Sequence, residues 1–163
     1  MKLVTVLWVA SVAAAGGALA LAYAWAGLWE LGLIWAGLAL AWGWLQEQRR
    51  WVQHAGLVLC CMAAALGFTL PAPPLALLGA VCAALCAWDL GHFRGRLAAA
   101  AQAESSLVWR HLGLLFSVAL LGFLTGASTL QTQVNLSFPA AVALVLALFY
   151  SLGRLFFRTR PER

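Results

Sequence analysis

A chain of 163 residues that is 64% hydrophobic and only 9% charged, with a mean hydropathy of +0.92 and a net charge of +5, does not have the composition of a soluble domain, which carries roughly 25% charged residues. Lipid leaves no backbone polar group a water partner, so spanning segments are helices or closed barrels. These apolar runs are continuous and rich in Ala and Leu. They lack the alternation of a barrel strand, and the expected class is an all-α integral membrane protein.

The first run extends from Leu3 to Ala24. Lys2 and the small residues Ala18, Ala20 and Ala22 give it some features of a signal peptide. It is nonetheless long enough to span, and it is read as a retained first helix. A weak break at Ala26-Gly27 leads to a second run over 28–45, which ends in the polar stretch Gln46-Glu47-Gln48-Arg49-Arg50. The third run covers 52–70 and is stopped by Pro71-Ala72-Pro73-Pro74, because proline cannot continue a helix. The fourth covers 75–90 and is followed by the longest polar stretch, Gly91–Arg110. Within it, Leu97–Glu104 contains strong helix formers. A short cytoplasmic surface helix is expected there, between helices four and five. The fifth run covers 111–130 and the sixth 138–157, before the basic tail Arg158–Arg163. Each run has roughly 16 to 22 residues, about 24 to 33 Å of helix against a hydrocarbon core of about 30 Å. The expected architecture is therefore one transmembrane helical domain over 1–163, with six helices in three hairpins.

All ten Lys and Arg flank these runs or lie in their last turn: Lys2, Arg49, Arg50, Arg94, Arg96, Arg110, Arg154, Arg158, Arg160 and Arg163. With six spans they all fall on one side. That is the positive-inside pattern, which puts both termini in the cytoplasm of a multi-pass protein of the cell (inner) membrane. Five spans would scatter them over both faces. The basic excess is thus a matter of orientation, and nucleic acid is not expected as a partner. Six of the nine tryptophans map near the same interface and Trp25 and Trp29 near the other, as expected for rings with an apolar body and one N–H donor.

Trp51-Val52-Gln53-His54-Ala55-Gly56 resembles Trp109-Arg110-His111-Leu112-Gly113, and Leu66-Gly67-Phe68 resembles Leu121-Gly122-Phe123. Hairpins three–four and five–six then read as related copies, although both matches use residues common in membranes.

Three sets of residues carry candidate chemistry. Cys60, Cys61, Cys82 and Cys86 lie on antiparallel neighbours and offer four thiols to a soft metal. The plainer expectation is that they pack as small hydrophobes. His54, His92 and His111 map to the cytoplasmic ends of three helices, where they are candidate ligands for a haem, a pigment or a metal. Asp89 lies three residues before His92 and is placed to orient that ring, or to meet Arg94 or Arg96. Interfacial histidines with solvent access need no ligand, and the sequence requires no cofactor. Third, Gly32, Ala36, Gly37 and Gly43 are candidate contact positions for another membrane helix.

No charge maps to mid-membrane, where sites for polar solutes usually lie. Phosphate loops, HExxH and a recognisable Ser/His/Asp frame are all missing. The expected function is a non-enzymatic accessory or structural subunit of a larger membrane complex, with the bilayer and other membrane subunits as partners. The alternatives are a small transporter or channel for an apolar or weakly polar solute, and a His-ligated haem or pigment protein.

Overall fold

A computed structural model of the chain describes residues 2–45, 51–99 and 105–131. Every element in them is an α-helix: α1 (Lys2–Trp25), α2 (Trp29–Leu45), α3 (Trp51–Phe68), α4 (Pro74–Ala99) and α5 (Ser105–Gln131). Four of them, α1, α3, α4 and α5, are long and apolar enough to cross a membrane. The helix α2 is equally apolar but shorter, at 17 residues. The expected sixth span, 138–157, and the second half of the hairpin it would form lie outside the described residues.

Local chemistry sets the turns. Gly27 has φ of 79°, a left-handed conformation that suits a residue without Cβ. Its N–H donates to Ala24 O at 3.0 Å, and the Leu28 N–H reaches back to Tyr23 O at 2.9 Å. These are the two bonds of a Schellman cap, and α2 starts at once, with Glu30 in its first turn, where an acid favours the helix dipole. After α3, Pro73 O accepts from the N–H groups of Ala76 and Leu77, so Pro74 is the first helical residue, where its missing N–H costs nothing.

Helix α1 is the hub. It buries Val4, Trp8, Val12, Ala15, Leu19, Ala22 and Tyr23, a stripe at three- and four-residue spacing, and packs against α2, α3 and α4. Apolar burial does not drive helices together in lipid, so close approach and polar contacts must do so. Gly16 lies against the Ala39 side chain, and the position where Gly32 would carry a Cβ is 2.8 Å from Ala20 O. The Trp42 ring lies over Gly56, which joins α2 to α3. Buried Tyr23 donates its hydroxyl to Ala63 O at 2.8 Å, tying α1 to α3.

Two expectations change. No separate surface helix follows α4 among the described residues, because α4 runs on through the polar stretch to Ala99. Leu90, Phe93 and Leu97 stay buried, and their i, i+3, i+7 spacing keeps one apolar stripe against the bundle while arginines occupy the rest of the surface. The second change concerns α5, which brings no Cα within 8 Å of the other described helices. Side chains alone connect it: Phe123 approaches Gly79, and Leu78 fills the space beside Gly126. Only Leu112 of its described side chains is buried.

Candidate functional site

Polar side chains gather at one end of the bundle, where α4 emerges with two adjacent faces. Trp88 and His92, four residues apart, form one face, and Asp89 and Phe93 form the other. The first turns to α3. There Trp88 Nε1–H donates to His54 Nδ1 at 3.3 Å, and the His54 and His92 ring centroids are 5.3 Å apart. The second turns to α5. There His111 Nε2 lies 2.7 Å from Asp89 Oδ2, and the His111 ring stacks on Phe93 with centroids 4.0 Å apart.

The bonds fix the tautomers. An indole N–H can only donate, so His54 Nδ1 accepts and its neutral ring carries the proton on Nε2. A carbonyl can only accept, so His92 Nδ1–H donates to Trp88 O at 2.9 Å, which leaves the Nε2 lone pair. In this arrangement His92 has a nitrogen available to a ligand, whereas the remaining nitrogen of His54 is protonated. The two neighbouring rings are therefore not poised to share a metal. Among the described residues no group of three or more His, Cys, Asp or Glu is placed to hold one.

The three histidines do share one end, as their depths suggested. Their partners differ from expectation. Asp89 meets His111 on another helix, not His92, whose ring is already held by the Trp88 carbonyl. Trp88 and Phe93 were not foreseen as partners. Their i,i+4 spacing to His92 and Asp89 was the available signal, once α4 is carried past Leu90.

Arginines border this end. The Arg94 guanidinium lies over the Trp8 ring, 4.7 Å from its centroid, and that of Arg96 is 5.9 Å from the Phe93 centroid. The first contact sets the start of α1 beside the end of α4. Lys2, Arg94, Arg96 and Arg110 thus lie at one end of the bundle.

The four thiols do not converge. All are free, with Cys60 and Cys86 buried, Cys82 intermediate and Cys61 exposed. Consecutive helical residues point about 100° apart, so Cys60 and Cys61 do not both face α4. Cys60 Sγ is directed at Ala80 O, 3.7 Å away.

The four contact candidates also divide. Gly32 is consumed inside the chain, against Ala20. Ala36 and Gly43 line an open groove of about 480 Å³ between α1 and α2, together with Trp8, Ala13, Gly17 and Leu40. Gly37 alone of the four is exposed with nothing within 4 Å of its missing Cβ and no part in that groove. A second, smaller apolar pocket of about 170 Å³ lies among α1, α2 and α3, beside Trp35, Trp42 and Trp51. Among the described residues, the buried indole N–H groups of Trp8 and Trp42 have no hydrogen-bond partner.

Compared with known proteins, the chain matches no protein-family model, no curated protein and no solved structure.

Proposed function

We propose that this chain is a non-enzymatic accessory subunit of a larger membrane assembly, with six spans and both termini in the cytoplasm. The observation that carries the reading is the state of α5. Among the described residues, this helix of 27 residues is joined to the bundle by side chains alone, and Leu112 is its one buried side chain. Its exposed surface includes Gly113, Ser117 and Gly122, residue types that let membrane helices approach closely. On α2, exposed Gly37 has the same character. The one-sided basic residues supply the orientation. The pockets at membrane depth are almost wholly apolar, so the polar cluster at the bundle end serves as a fixing point between α3, α4 and α5.

The test is recovery of other membrane chains in a mild-detergent pull-down. Gly37→Leu and Gly113→Leu add bulk where the described residues offer no contact within 4 Å. They are expected to weaken partner recovery without lowering the amount of chain in the membrane. A wild-type chain that purifies alone and moves a solute across reconstituted vesicles fits the transporter reading instead.

A further inference from the structure

We infer that the polar cluster is a pH-sensitive fastening, which holds the end of α4 to α3 while His54 is neutral and moves that hold to α5 when the histidines are protonated. The inference uses the hydrogen bonds at the bundle end and does not need the subunit reading.

His54 and His111 play opposite parts on the two faces of α4. His54 Nδ1 accepts the Trp88 indole N–H at 3.3 Å. An imidazolium carries a proton on both nitrogens, and an indole N–H can only donate, so a charged His54 cannot keep this bond. His111 instead places Nε2 2.7 Å from Asp89 Oδ2. Its neutral ring donates there. Its charged ring donates there too, in an ion pair about twice as strong as a neutral hydrogen bond. Protonation therefore removes a bond on the α3 face and strengthens one on the α5 face.

The surroundings keep the two faces distinct. Trp88 and His92 of α4 face His54, and the His54 and His92 ring centroids are 5.3 Å apart. His92 can take a proton on Nε2 and still donate Nδ1–H to Trp88 O, so a charge on either of these rings opposes a charge on the other. Of the described acids, Asp89 is the one at this end, and His111 already engages it. A charged His54 gains no counter-ion there. Phe93 stacks on His111, Cys86 lies one turn before Asp89, and Arg110 precedes His111. Lys2, Arg94, Arg96 and Arg110 keep their charge wherever histidine titrates, so the change belongs to the imidazoles. Farther along the same interface Cys60 is directed at Ala80 O, in a contact that takes no part in the titration. The loosening of α3 from α4 is thus local to the bundle end.

The experiment uses the full chain in phosphatidylcholine nanodiscs, isotope-labelled on the tryptophan indoles. NMR spectra are taken at about pH 8 and about pH 5, the limits between which histidine changes charge. The Trp88 indole signal is assigned by its loss in Trp88→Phe. In wild type it is expected at a hydrogen-bonded shift at the higher pH and at a free shift at the lower. His54→Asn puts a carbonyl oxygen close to the place of Nδ1, an acceptor that does not titrate, and its Trp88 signal should stay bonded at both. The α5 face is read from melting temperatures, where the gap between wild type and Asp89→Asn should widen at the lower pH. A wild-type Trp88 signal that does not move overturns the proposal. So does an equal shift in His54→Asn, which would assign the change to His92, or an Asp89→Asn gap that fails to widen. None of these readouts depends on a partner chain.

Discussion

His111 Nε2 on α5 lies 2.7 Å from Asp89 Oδ2 on α4, a side chain-to-side chain hydrogen bond that ties α5 to the bundle. The two side chains are 25% and 29% exposed. The pair is partly shielded from water, and it fixes the start of a helix whose one buried side chain among the described residues is Leu112.

Removing either partner should loosen α5. His111→Ala also deletes the stack on Phe93. A loss of about 1 kcal/mol is expected for Asp89→Asn and somewhat more for His111→Ala. Since both act on one contact, the double variant should fall short of the sum of the two single losses. Thermal unfolding in detergent, run on the four proteins of the cycle, measures this. Strict additivity would mean that the pair does not couple α5 to α4.

How much of this was legible in the sequence depends on the kind of information. Helix ends were written in local chemistry, and Gly27 and Pro71–Pro74 fall where the chain turns. Depth was legible as well, because residue counting along each run brought His54, His92 and His111 to one end. Rotation of each helix about its axis was not. A helix apolar on every side shows no face to read, so neither the Asp89–His111 pairing nor the choice of Cys60 over Cys61 as the thiol that faces α4 follows from spacing. The end of α4 is concealed in the sequence for a related reason. Counting polar residues after Leu90 hides the stripe of Leu90, Phe93 and Leu97, which holds the helix against the bundle.

Gly32 and Gly37, five residues apart on α2, should respond oppositely to substitution. A Cβ at Gly32 would sit 2.8 Å from Ala20 O, and backbone cannot swing away as a side chain can. Gly32→Val is expected to cost about 1–3 kcal/mol, whereas Gly37→Val should leave the melting temperature close to wild type. Equal melting temperatures would show that α1 and α2 are not in close contact at Ala20.

The cysteines are expected to be packing residues. Changing Cys60, Cys61, Cys82 and Cys86 together to Ala should leave membrane insertion and assembly intact. Elemental analysis of the purified chain provides the check, and a stoichiometric metal present in wild type and lost in the quadruple variant would contradict the expectation.

Topology is tested by reporter fusions. Fusions at Ala72 and Gln133 should read external and those at Gln48 and Ala101 cytoplasmic, as the one-sided basic residues require. Reversal at any one of the four positions would break the six-span arrangement.

The central claim is that this chain acts through its surface at lipid depth, and the most direct measurement is the mild-detergent pull-down on wild type and on the Gly37→Leu/Gly113→Leu double variant. Wild type should bring down defined membrane chains in fixed ratio. The double variant should insert to the same level and recover several-fold less of them. Recovery of the wild-type chain alone, together with solute movement in reconstituted vesicles, would contradict the account.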